Sequence, residues 1–233
     1  ACQCAKGYQE HKWQPHVLPN DYNFTPYLDK MTKWNGYKIS WSFMHTFDPE
    51  DKRLLTIASE YTSKDGVVHN EKNDSQDPSA QLYLGAVPLK YEFDPDCTGE
   101  DSQIDWIIYR YADVLTLTAE AIVRNKNAVT KEAVDLLNEV RTRSLPGKGY
   151  SLQDLNSVDK FLKAVLDERG WELYFEGNRR QDLIRYGIFV ETIKKKAQSM
   201  GKQTLVDENR HRFPIPQSII DEGKGVIEQN PGY

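Results

Sequence analysis

Glu168-Arg169-Gly170-Trp171-Glu172-Leu173-Tyr174-Phe175-Glu176-Gly177-Asn178-Arg179-Arg180-Gln181-Asp182-Leu183-Ile184-Arg185-Tyr186-Gly187 sets three glutamates four residues apart among arginines. Just upstream, Ser157 is placed to cap a helix whose Val158, Phe161, Leu162, Val165 and Leu166 form one apolar face. Running on toward Phe175, that helix would carry Glu168, Glu172 and Glu176 on a single stripe. Asp182–Arg185 reads as a further helical turn and Phe189–Met200 as another helix. Working back toward the N-terminus, Thr130 is an N-cap ahead of an inner stripe of Ala133, Val134, Leu137 and Val140, closed by Pro146-Gly147. Before it, Tyr111, Val114, Leu115, Thr118 and Ile122 fall at helical spacing as far as Asn125. The short Asn-rich link between these two helices makes them an antiparallel hairpin of tetratricopeptide-like type, although no period recurs along the chain.

Residues 1–105 read differently. They are rich in aromatics and broken by Pro, Gly, Asn and Asp. Short strands are expected over Gly36–Phe43, Leu54–Tyr61 and Leu82–Tyr91, with a short helix near Tyr27–Trp34. The expected organisation is a loop-rich region with short strands at 1–105 and a helical region at 106–233. Near the C-terminus, Pro214 and Pro216 hold Phe213–Gln217 extended and outside any helix. Gln229-Asn230-Pro231-Gly232 is a turn that leaves Tyr233 as an apolar end, which suits a C-terminal clasp.

Five blocks of this chain, in order, resemble the C-terminal part of the SusD/RagB family of outer-membrane nutrient-binding lipoproteins. They are Arg110-Tyr111-Ala112-Asp113-Val114-Leu115 with Ala119-Glu120-Ala121, Leu137-Asn138-Glu139-Val140-Arg141-Thr142-Arg143, the Glu168–Gly187 stretch, Phe213-Pro214-Ile215-Pro216-Gln217, and Gln229-Asn230-Pro231-Gly232-Tyr233. The resemblance implies a mainly α, SusD-like fold. It also implies capture of a glycan at the cell surface, without catalysis, for a SusC-like TonB-dependent transporter in the outer membrane. A peptide-binding member of the same family is the alternative ligand class. On this reading the chain is a fragment: the helical-repeat half and the lipid-anchored cysteine would precede Ala1.

Composition agrees with a folded protein, with 28% charged and 39% hydrophobic residues. No apolar run approaches the roughly 20 residues that span a bilayer. A formal net charge of -5 gives no electrostatic reason to expect nucleic acid. Cys2, Cys4 and Cys97 make neither a disulfide framework nor a zinc spacing, and the start Ala1-Cys2-Gln3-Cys4 is not an intact signal peptide. No histidine pair has metal-site spacing, and phosphate-loop, dinucleotide and serine-nucleophile motifs are absent.

Three constellations remain. The Glu168/Glu172/Glu176 stripe could supply the acid and base of a glycoside hydrolase. Interleaved with arginines, it reads instead as mutual bracing, since close guanidinium groups would keep the carboxyls ionised. Asp94, Asp96 and Asp105 echo a calcium loop with Gly99 at its sixth position, but Pro95, and Asp105 where a bidentate Glu belongs, depart from it. The aromatic density of residues 8–43 offers flat faces for sugar C–H groups with amides beside them for hydroxyls. The candidate glycan-binding residues are Tyr22, Tyr27, Trp34, Asn35 and Tyr37, with Trp41 and Phe43 assigned to a core.

Overall fold

The computed structural model describes residues 2–5, 7, 10–22 and 30–233, which form two compact units, Ala1–Glu176 and Gly177–Tyr233. In the first, α1 (Trp13–Val17) and α2 (Trp41–Met44) are single turns, followed by a 3-10 turn at Lys52–Thr56. Four short strands then form two antiparallel pairs. β1 (Ile57–Ala58) pairs with β4 (Val87–Pro88), and β2 (Glu60–Thr62) pairs with β3 (Val68–Asn70), which leads directly into α3 (Glu71–Asp74). Three long helices complete the unit: α4 (Tyr111–Lys126), α5 (Lys131–Ser144) and α6 (Val158–Leu173).

The helix starts follow the local chemistry. Thr130 Oγ1 accepts the Ala133 N–H at 3.2 Å, and Ser157 Oγ accepts the Lys160 N–H at 3.3 Å. Asn127, with φ +47, turns the chain between α4 and α5 in the left-handed region that Asn tolerates. Ala119 and Val123 from α4, Ala133, Val134 and Leu137 from α5, and Phe161, Ala164 and Val165 from α6 fill one core.

The inner face of α4 is rotated from the expected one. Tyr111 and Val114 are exposed, and the buried stripe is Leu115, Ala119 and Val123 with the polar Asp113, Thr116 and Glu120. The polar members satisfy hydrogen bonds inside. Arg169 Nη1 donates to Asp113 Oδ1 at 2.7 Å and to Thr116 Oγ1 at 2.8 Å. A stripe lined by small and polar residues is invisible to hydrophobic periodicity.

The expected strands are also shorter and differently placed. Of Gly36–Phe43, only Ile39 bridges to Ala86, and Trp41 begins α2. Gly85, with φ +147, permits that bridge, because a methyl there would overlap the Ile39 carbonyl. Within Leu54–Tyr61 the chain first makes the 3-10 turn, and within Leu82–Tyr91 the pairing is limited to β4 and the Ala86 bridge. Of the helix expected near Tyr27–Trp34, residues 27–29 lie outside the described residues, and Thr32–Trp34 are irregular. Two clusters fill this half, one around Leu18, Tyr22, Tyr61, Leu82 and Val87 and one around Ile39, Phe47, Ile57, Ala86 and Tyr174.

The second unit holds α7 (Arg179–Arg185), α8 (Phe189–Ser199), a 3-10 turn at Glu208–His211 and α9 (Gln217–Glu222). Pro216 occupies the N-cap of α9, so the extended prolyl segment ends in a helix that sequence reading missed. The clasp closes on that segment. The Gln229 amide both donates to and accepts from the Ile215 backbone at 2.9 and 2.8 Å, and Asn230 Nδ2 donates to Phe213 O at 2.8 Å.

Candidate functional site

Trp34-Asn35-Gly36-Tyr37 is clamped to the end of α1 by backbone bonds. Trp34 N–H donates to Pro15 O (2.8 Å), Asn35 N–H to Leu18 O (2.9 Å), and the Gly36 and Tyr37 amides to His16 O (2.7 and 3.0 Å). Asn35 takes φ +53 at the bend. The side chains on either side of it emerge into solvent: Trp34 and Tyr37 are each 53% exposed. Each is supported from behind by another ring. Trp34 stacks on His16 with centroids 5.9 Å apart at 10°, and Tyr37 stacks on Trp13 at 5.7 Å and 19°. Trp13 in turn meets Trp106 and Phe175 at 5.1 and 4.9 Å. The result is two exposed, stiffened aromatic faces on one turn.

Asn35 lies between them and donates through Nδ2 to Gln81 O at 3.1 Å. Its Oδ1 and the Gln81 Oε1 are enclosed and have no donor among the described residues. Lys38, next along, donates to Val17 O at 3.1 Å, and burial lowers its ammonium from 10.5 to about 7 against an upward pull from Asp21.

Tyr22 does not join this surface. It is 0% exposed, packed against Tyr61 at 5.0 Å and Phe93 at 6.4 Å, so it offers no face to a ligand. Burial likewise raises its phenol above the ordinary range. Tyr27 lies outside the described residues. Trp13 and His16, passed over in the sequence, are the supports. Their signal was the Trp13-to-His16 spacing on one helical turn.

The glutamate stripe is a buried hub. Glu168 and Glu172 stand on α6, but the helix ends at Leu173, and Glu176 follows the left-handed Phe175 (φ +57), beyond the helical stripe. Relative exposures are 0, 2 and 6%. Glu168 accepts from Arg53 at 2.6 Å and Arg141 at 3.1 Å. Glu172 accepts from Arg143 Nη2 at 2.6 and 2.7 Å, from Arg53 at 3.2 Å, and from Arg110. Glu176 takes Arg110 in a fork at 2.7 and 2.9 Å and pairs with Lys90. Arg53 also forks onto Asp51.

Burial works to raise the Glu172 carboxyl, but Arg110, Arg143 and Arg53 outweigh it and hold it below 4.5. At Glu168 burial prevails over Arg53 and Arg141, and the carboxyl is pushed up. The bracing is therefore real, and the cations seen in it come from elements distant in sequence, Arg53, Lys90, Arg110, Arg141 and Arg143. All the hub's charges face one another.

The calcium-like loop is closed from within. Asp94, 4% exposed, accepts the Asp96 and Gln103 amides at 2.9 and 2.6 Å, and Asp105 accepts the Cys4 amide at 3.0 Å. Among the described residues, no three His, Cys, Asp or Glu side chains gather as metal ligands. Among those residues, also, no helix is long and apolar enough to cross a membrane.

The sequence model of the SusD family matches residues 95–233. The chain belongs to the SusD family. It is 27% identical over 209 residues to SusD-like protein P2 of Formosa agariphila, covering 86% of this chain and 41% of that protein. To the starch-binding protein SusD of Bacteroides thetaiotaomicron it is 31% identical over 131 residues, 54% of this chain and 21% of that protein. A crystal structure of a SusD homologue from Bacteroides thetaiotaomicron superposes with a TM-score of 0.65 at 27% identity, covering 82% of this chain and 43% of that one. The fold is thus SusD-like and mainly helical. The chain spans less than half the length of these SusD-family relatives.

Proposed function

We propose that this chain is part of a cell-surface protein that captures a glycan without cleaving it. The observation that carries the reading is the Trp34–Tyr37 turn, which presents two half-exposed rings, each backed by a second ring. A pyranose laid on such a face buries its C–H groups against the ring. The starch-binding relative in the same family supports a saccharide as the ligand class. The family resemblance supports the rest of the proposal: a lipid anchor at the outer membrane and delivery to a SusC-like TonB-dependent transporter.

Against a hydrolytic reading stands the hub. A general acid needs a proton to give and a path to substrate, yet Glu172 is held ionised by three arginines and Glu168 is fully enclosed. Calorimetry with oligosaccharides of starch and other plant and microbial glucans tests the site. Trp34→Ala and Tyr37→Ala should each weaken binding by about tenfold or more. Unchanged affinity in both variants would remove the site assignment, and tight binding of peptides with no glycan bound would move the ligand to another class.

A further inference from the structure

A second concavity opens on the same unit. Its walls are Trp41 at the start of α2, Glu60 on β2, Asn70 at the end of β3, Glu71 and Lys72 opening α3, and Ser75 just beyond. The volume, about 520 Å³, falls within the range of small-molecule clefts. The lining holds one half-buried indole; every other group on it is polar.

Hydrogen bonds fix several of the walls. Trp41 Nε1–H donates to Leu82 O at 3.0 Å, and Asn70 Nδ2 donates to Glu60 Oε2 at 2.8 Å across the β2–β3 register. Asn70 Oδ1 caps α3 through the Asn73 amide at 2.9 Å, and Glu71 pairs with His45 at 2.8 Å. The Lys72 ammonium has no partner among the described residues. Carboxylate acceptors, an amide, a hydroxyl and a free ammonium beside one flat ring suit a ligand carrying many hydroxyls and a C–H face.

The groove and the Trp34–Tyr37 turn are anchored on one segment. Asn35 donates to Gln81 O and Trp41 donates to Leu82 O, so neighbouring carbonyls of one segment fix both places. Charge narrows the class. Glu60 and Glu71 against Lys72 leave the groove net negative, which disfavours uronate or sulfate groups.

We propose that the groove walled by Trp41, Glu60, Asn70, Glu71 and Lys72 is a second saccharide contact that restricts the ligand to uncharged sugar chains. The proposal rests on the glycan-capture reading. Its test uses the full chain, titrated calorimetrically with neutral hexasaccharides of glucose, xylose and mannose and with oligogalacturonate. The comparison variants are Trp34→Ala and the double substitution Glu71→Ala/Lys72→Ala, the latter pair lying outside all three buried clusters. The expected result is binding to a neutral chain, none to oligogalacturonate, and about a tenfold loss in the double variant at unchanged melting temperature. Full affinity in the double variant, with loss only in Trp34→Ala, overturns the groove and leaves glycan capture standing. A preference for oligogalacturonate overturns the charge argument alone. Binding of no sugar at all takes down the glycan reading, and the groove with it.

Discussion

At the scale of single residues, the most consequential placement is that of Lys38, whose ammonium is buried against the Val17 carbonyl at the end of α1. Its folded value of about 7 lies below the ordinary 10.5, so the unfolded chain holds that proton longer. Stability should therefore rise as pH climbs from about 7, by up to about 1.4 kcal/mol per pH unit for one proton. Lys90, lowered by burial to about 8, adds a rise of the same sign above that value. Beyond pH 10 the trend reverses, because burial raises the Tyr91 and Tyr174 phenols to about 12 and the unfolded chain ionises first. Urea midpoints between pH 7 and 8 should climb in the wild type and climb clearly less in Lys38→Met, where Lys90 alone contributes. A parallel climb in the variant would refute the assignment. Gly232 offers a second case: with φ +87 and Asn209 Cβ 2.7 Å from where a methyl would go, Gly232→Ala should destabilise the clasp by about 1–3 kcal/mol, read by thermal melting. Neither effect is legible in the sequence. Lys38 looks like any exposed lysine, and Tyr22, set in a turn, looks as available as Trp34. Which rings enter the core is decided by partners such as Tyr61 and Phe93, far along the chain.

Elements show a sharper division between what is local and what is not. The starts of α5 and α6 were legible because a cap acts within its own turn, and Thr130→Ala should cost about 1 kcal/mol in thermal unfolding. The partners of the glutamates were not legible. Arg169, next to Glu168 in sequence, projects from another face of α6 and pairs with Asp113. The cations that reach the hub come from the 3-10 turn, the segment after β4, the N-cap of α4 and the end of α5. Arg53 has the widest reach, touching Asp51, Glu168 and Glu172 at once. Arg53→Met would leave these buried carboxylates short of a partner, a loss of about 3–5 kcal/mol in urea unfolding. Adding Glu168→Gln should recover part of that loss, since it removes one of the stranded charges. An additive double variant would mean that the two side chains do not communicate.

For the molecule as a whole, the hub joins the irregular half of the first unit to its helices, and its order of blocks is what made the family readable. The proposed ligand faces lie where a turn, not periodicity, places the side chains, so Trp34 and Tyr37 stood out in the sequence by composition alone, and the rings behind them only by the spacing of Trp13 and His16. A fold knotted through buried carboxylates should also fail in acid in a particular way. Glu172, held below 4.5 in the fold, contributes stability that is complete above 4.5 and is lost as pH falls through its lower folded value. Glu168, raised by burial, works in the opposite sense above 4.5, where the folded state keeps its proton and gains slightly on acidification. The decline should thus be confined below pH 4.5, without a shoulder between 5 and 6. Glu172→Gln lowers stability at neutral pH, because Arg110 and Arg143 lose the negative charge they face there, but it also removes one titrating group. Urea midpoints taken stepwise below pH 4.5 should therefore fall less steeply in Glu172→Gln than in the wild type. Equal slopes would place the acid-sensitive charge elsewhere and detach the hub from the molecule's acid stability.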